Sequence, residues 1–296
     1  MPSSGHNDSQ RAEEDVDPDA VWSDTALADA IELAETSDDE LEGVLRQIAP
    51  HAPAEDQRAR AARVEADRLM VQACAKENFE GPMTKKLLLV AHEYATPVIS
   101  FLITNGTIFK EAIRLRRPVR RDDRDLAWTV DERNFLTHCT VDTGIFGLFC
   151  EYGLRQGRWD HRRGVKLTTY ATNGCIMCFS SVYPKWWSSR AWESGAGLAV
   201  DFPQRLQIDR RAVDPAEQAV NRVEAMRLLR EFPEQERTAL VLRGEYGVSQ
   251  SEAAALVGLT PKALESRLGR SRRRLELNRS DPSHVAVSAP ELDIEL

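Results

Sequence analysis

The sequence lacks several features that would each have fixed its class. No stretch approaches 18 uninterrupted apolar residues, so no segment reads as a membrane span. The N-terminus, MPSSGHNDSQRAEEDVDPDA, has neither the basic start nor the apolar centre of a secretory signal, which predicts a chain that stays in the cytoplasm. Cysteines are few: Cys74, Cys139, Cys150, Cys175 and Cys178, an odd and scattered set unlike a disulfide framework, so reduced thiols are expected. Cys175 and Cys178 form one CxxC, but no second pair follows at zinc-site spacing. Packing is their expected role, and a thiol-based redox or zinc sensor is the remote alternative. The sequence also has no Walker loop, paired-carboxylate site, nucleophile elbow or metal-ligand array. The expected protein is therefore not an enzyme and carries no cofactor and no metal.

What is present divides along the chain. At 296 residues and 42% hydrophobic, there is room for two modest domains with real cores. The formal charge of -8 hides an asymmetry, because residues 1–60 hold sixteen acids against four arginines and no lysine. The remainder carries 35 basic and 31 acidic residues, so the acidity belongs to the extension and the rest is mildly basic. Residues 1–20 have almost nothing to bury and should be disordered. Between Trp22 and Ile48 apolar residues recur at helical spacing and predict two short amphipathic helices with acidic outer faces. Such an arm could cover a basic surface until displaced.

Residues 61–192 are rich in helix formers and aromatics, and Leu87 to Phe101 is an apolar run that belongs in a core. Asn105-Gly106 supplies turn chemistry before a further helix at Thr107 to Leu115. The cluster Arg114, Arg116, Arg117, Arg120 and Arg121 then leads into a predicted loop. Residues 193–214 change to Gly, Ala, Pro and isolated charges and read as a linker; helical period returns over 215–279, and 280–296 is a polar tail.

Within the C-terminal part, GVSQSEAAALVGLTPKALESRLGRSRRR (Gly247 to Arg274) has helix-turn-helix grammar. Ser249 with Glu252 forms a capping box, so a helix starts at Gln250. Ala254 permits close helix approach, Gly258 allows the turn, Thr260 can cap the second helix and Pro261 suits its first position. On that second helix Leu264, Leu268 and Leu275 share one face, leaving Lys262, Ser266, Arg267, Arg270 and Arg273 largely outward, with Arg274 beside them. Residues 261–279 hold seven basic residues against two acids, a face that could neutralise phosphates and reach base edges in a major groove.

The segments PEQERTALVLR, GVSQSEAAALVGLT and ALESRLGRSRRRL resemble the promoter-reading C-terminal domain of bacterial RNA polymerase sigma factors. RWDHRRGVKLTTYAT (Arg158 to Thr172) resembles a second sigma segment, in which an aromatic-Asp turn and an Arg-Gly pair lead into a helix opening with Thr-Thr-Tyr-Ala. Two such segments in this order, with no intermediate domain, are similar to the compact extracytoplasmic-function (ECF) group, and GCIMCFSSVYPKWW is like its actinobacterial members.

This resemblance implies an all-α fold of two helical domains on a flexible linker, preceded by a disordered acidic extension. It implies a sigma factor that binds core polymerase, takes the upstream (−35) element with the helix-turn-helix, and takes the downstream (−10) element with residues 61–192. For the upstream element the implied contacts are Thr260, Lys262, Ser266, Arg267, Arg270, Arg273 and Arg274. For the downstream element Arg162, Arg163 and Lys166 would meet phosphates, Thr168 and Thr169 would cap the helix and donate to backbone oxygens, and Tyr170 would stack a base. Asn173, a further implied contact to the downstream element, and Gly174 stand where relatives carry a tryptophan pair that wedges the melting base pair. Glu265 stands where relatives usually carry lysine.

By the same resemblance, Val141 to Gln156 docks on the clamp helices of the largest polymerase subunit through Asp142, Phe146 and Phe149, and the C-terminal domain meets the flap of the second-largest subunit. Promoter DNA and core polymerase are the implied partners, an anti-sigma factor is a further candidate, and the place of work is the nucleoid. The alternative reading is a stand-alone DNA-binding regulator that kept this architecture but does not open promoters, which Asn173-Gly174 favours.

Overall fold

The computed structural model describes residues 57–119, 128–196 and 229–280, together with the isolated positions Gly43 and Gln47. Most of the acidic extension with its two expected short helices, most of the linker, residues 215–228 of the C-terminal part, Arg120, Arg121 and all of the polar tail after Ser280 lie outside the described residues. Among the described residues every regular element is helical, as the sequence predicts.

Helix α1 (Gln57–Lys76) buries Ala59, Ala62, Ala66, Met70 and Cys74, a stripe of small and apolar side chains at three- and four-residue spacing. Pro82 opens α2 (Pro82–Thr104), where a missing N–H costs nothing. This helix is long and apolar enough to cross a membrane by length and composition. Its residues Leu87, Ala91, Val98, Ile99, Leu102 and Ile103 are instead enclosed by protein, making it a core helix. The predicted turn follows, with Gly106 at φ +67°, and leads to α3 (Ile108–Arg114).

A capping box of Thr129 and Glu132 starts α4 (Val130–Asp142). The chain then continues without a break into a wider π-helical winding over Thr143–Arg155. Glycine is required in this segment by packing. A Cβ on Gly144 would lie 2.5 Å from Cα of Cys175, and one on Gly153 would lie 2.7 Å from the Tyr170 ring. These close approaches seat the segment against α5 (Leu167–Ala196), which α2, α3 and α4 also contact. Helix α5 is therefore the axis against which α2, α3, α4 and the π-helical segment pack.

Helices α6 (Glu234–Tyr246), α7 (Gln250–Leu256) and α8 (Pro261–Ser280) close on Ala239, Leu242, Ala253, Ala254, Leu264 and Leu268. They also meet the N-terminal helices, since α6 lies along α1 and the buried core runs continuously from Ala66 to Leu268. Arg63 pairs with Glu245, and Lys86 Nζ pairs with Glu252 at 3.0 Å.

Candidate nucleic-acid interface

The helix-turn-helix forms by the local chemistry that the sequence announces. The Glu252 N–H donates to Ser249 Oγ at 3.2 Å, and the Ser249 N–H donates to the Glu252 carboxylate at 2.6 Å. Gly258 takes the left-handed conformation, φ +73°, at the turn. Thr260 Oγ1 accepts from the Ala263 N–H at 3.2 Å and so caps α8, with Pro261 in its first position. Leu264 and Leu268 are buried and Leu275 packs against the same core, which turns the opposite face outward.

On that outward face Thr260, Lys262, Ser266, Arg270 and Arg273 are exposed. Two of the expected contacts are engaged within the chain. Arg267 donates to Gln235 Oε1 at 2.7 Å, and Arg274 donates to the Glu231 carbonyl at 2.9 Å, so both also brace α8 against the start of α6. Ser271, on the inner side, donates to Glu236 at 2.6 Å. Glu265 is exposed among the bases and reduces the local positive field.

The segment Arg158 to Asn173 is arranged differently. Asp160 accepts from the Arg162 N–H at 2.9 Å, and Gly164 at φ +72° closes a 3-10 turn over His161–Arg163. Arg162 and Arg163 are exposed on this turn, as a phosphate contact requires. From Val165 onward the chain turns inward. Lys166, Thr168, Thr169, Tyr170 and Asn173 are all buried, Tyr170 at 5% exposure and Asn173 at 0%.

The Tyr170 ring lies 6.2 Å from that of Phe149 and against Gly153, so it stacks on protein. Asn173 accepts from Arg114 at 3.4 Å. The expectation that these five side chains face DNA is corrected for this arrangement: the first turns of α5 are enclosed on every side and have no outward face. Nor do Thr168 and Thr169 cap the helix. The first N–H of α5, that of Leu167, donates to Asp67 of α1 at 2.7 Å.

Of the residues expected to meet polymerase, Asp142 is half-exposed and lies 3.1 Å from Nε2 of buried His92, while Phe146 is half-buried. Phe149 is 1% exposed and belongs to the core, which corrects its expected place on a docking surface. Trp186 joins Trp128, Tyr183 and Phe109 in an aromatic cluster, with Trp187 stacked on Tyr183 at 6.3 Å. The thiols of Cys175 and Cys178 are fully enclosed. Burial pushes the Cys178 thiol up to about 12 and raises that of Cys175 well above its ordinary value, the protonated state of packed cysteines.

Three polar residues organise these surfaces: Arg237 and Asp67, which the sequence does not single out, and Arg114, which the sequence marks only as the first member of a basic cluster. Arg237 is buried and donates to the carbonyls of Leu229, Phe232 and Arg58 at 2.8, 2.8 and 3.3 Å, tying the start of α6 to α1. Arg114 pairs with Glu111 at 2.7 Å and reaches Asn173. Asp67 caps α5 and accepts the hydroxyl of Tyr246. The available signal was a charged residue on an apolar stripe, Asp67 beside Ala62, Ala66 and Met70, and Arg237 ahead of TALVL.

Comparison with curated proteins and with solved structures gave no match. Residues 222–275 match the family model for sigma-70, region 4, which lies inside the span 215–279 that the sequence assigned to the promoter-reading domain. The match covers under a fifth of the chain, and it makes the helix-turn-helix part of the chain similar to sigma-70 region 4.

Proposed function

We propose that the chain is an ECF-like sigma factor that binds core RNA polymerase and directs it to promoters. The observation that carries this reading is the exposed basic face of α8, set on a doubly capped helix-turn-helix inside the region 4 match. Thr260 at the cap, with Lys262, Ser266, Arg270 and Arg273 on the free face, would enter the major groove of the upstream element. Arg267 and Arg274 would reach phosphates from its edge. In the N-terminal part Arg162 and Arg163 present cations on a turn capped by Asp160, for downstream phosphates. Half-exposed Asp142 and half-buried Phe146 would supply the polar and apolar groups for the clamp helices of the largest subunit. The flap of the second-largest subunit and an anti-sigma factor are the other partners this reading implies.

The test is binding of the purified chain to bacterial core polymerase, followed by promoter-dependent transcription with the assembled enzyme. Tight binding and specific transcripts are expected. A second reading, a DNA-binding regulator without strand opening, is favoured by one observation: the positions of the tryptophan wedge are Asn173 and Gly174, both inside the fold. DNA binding without polymerase binding would select it.

A further inference from the structure

Asp67 stands where three elements meet. Along α1 the small side chains Ala59, Ala62 and Ala66 allow α6 to approach closely. At the end of that contact one carboxylate, 1% exposed, serves both parts of the molecule. Its Oδ2 accepts from the Leu167 N–H at 2.7 Å, and its Oδ1 accepts the hydroxyl of Tyr246, the last residue of α6. One turn away Arg63 pairs with Glu245, and further along Lys86 of α2 holds Glu252, the capping carboxylate of α7.

We propose that Asp67 is a proton-linked latch: it holds the helix-turn-helix unit against the N-terminal helices, and its release frees the two parts to reach separate sites. In the docked state the two surfaces that the sigma reading gives to DNA, and on which this role of the latch rests, α8 and the turn at Arg162 and Arg163, have a fixed separation. Release of α6 from α1 converts them into independently placed contacts. Because the same carboxylate caps α5, docking of α6 is also tied to the start of the central helix.

The groups around the latch set its direction. On its own helix it faces Arg63, from α6 it faces Glu245 and Tyr246, and from α5 it faces the Leu167 N–H, with buried Lys166 just before. The α7 carboxylate nearest this contact, Glu252, is already engaged by Lys86. Burial pushes the Asp67 carboxyl up to about 7 against the opposing hydrogen bonds from Leu167 and Tyr246; Glu245 adds to the rise and Arg63 opposes it.

Undocking returns the carboxyl toward water and removes Tyr246 and Glu245, so its proton affinity falls toward that of an ordinary carboxylate. The docked form therefore binds the proton more tightly. Docking is fully supported below the ordinary carboxylate range and weakens as pH rises to and beyond about 7. Between pH 6 and 8 the docking constant should fall about tenfold.

Single-molecule energy transfer in the full chain tests this, with dyes at the exposed positions 93 and 272, read in the native protein, Asp67→Asn and Tyr246→Phe. The expected result is a ratio of docked to undocked molecules that drops about tenfold from pH 6 to 8 in the native chain. Asp67→Asn, neutral throughout and still able to accept from Leu167, should stay docked with no pH response. Tyr246→Phe should increase the undocked fraction at pH 6 with its helical circular dichroism intact. No undocked population in the native chain at pH 8, or a pH response that survives Asp67→Asn, would overturn the latch. The distances are read without polymerase or DNA, so failure here is separate from failure of the sigma reading.

Discussion

Thr260 and Thr168 stand in similar sequence settings, each near the start of a helix and each close to lysine and arginine. Thr260 is exposed, caps α8 and stands at the edge of a free basic face. Thr168 is buried inside the first turn of α5, where its carbonyl accepts from the Thr172 hydroxyl at 2.8 Å. The difference lies in how many neighbours each helix has. Helix α8 packs through one face, with Leu264, Leu268, Ser271 and Leu275, and the 3.6-residue period leaves its opposite face in water. Helix α5 is contacted by α2, α3, α4 and the π-helical segment, so the same residue types become core. Identical side-chain chemistry faces water in one place and the core in the other.

This contrast can be broken or sharpened by substitution. The largest expected effect is that of Tyr170→Ala. Removing a buried ring costs about 3–5 kcal/mol, so thermal unfolding of the N-terminal helices should move to much lower temperature. An unchanged Tm with weakened DNA binding would place Tyr170 on the surface and overturn its assignment to the core.

Gly144→Ala comes next. Its Cβ would meet the Cys175 backbone at 2.5 Å, and overpacking of this kind costs about 1–3 kcal/mol, which chemical denaturation would register. A stability equal to that of the native chain would show that the π-helical segment is not seated so closely on α5.

On the other side of the comparison, Arg270→Ala should leave unfolding unchanged. It should lower affinity for cognate duplex by about 1–3 kcal/mol if Arg270 reads a base, as measured by fluorescence anisotropy. A loss that is the same for every sequence would demote it to a phosphate contact. The smallest effect is expected for Arg162→Ala, which removes one exposed cation. The slope of log affinity against log salt should fall by about one, with no change in Tm. An unaltered slope would remove the 3-10 turn from the DNA interface.

Local chemistry was legible where a motif is closed by neighbours in sequence. The Ser249-Glu252 box, the Gly258 turn and the Thr260 cap each need only three or four consecutive residues, and all three formed as read. The burial of α5 had a weaker signal in TTYATNGCIMCFSS, whose small side chains occupy every face rather than one stripe. The roles of Phe149 and Asn173 had no local signal, because Phe149 is placed by Tyr170 and Asn173 by Arg114, each distant in sequence.

The sequence by itself determined the all-helical class, the capped helix-turn-helix and its exposed basic face. These follow from periodicity and from hydrogen bonds spanning three or four residues. Only the tertiary structure decided which helix became the central axis, and that α6 lies along α1. Only there does Asp67 both cap α5 and accept from Tyr246, bringing together groups 100 and 179 residues from it. Such long-range choices depend on which surfaces exclude water together, and no local pattern encodes that.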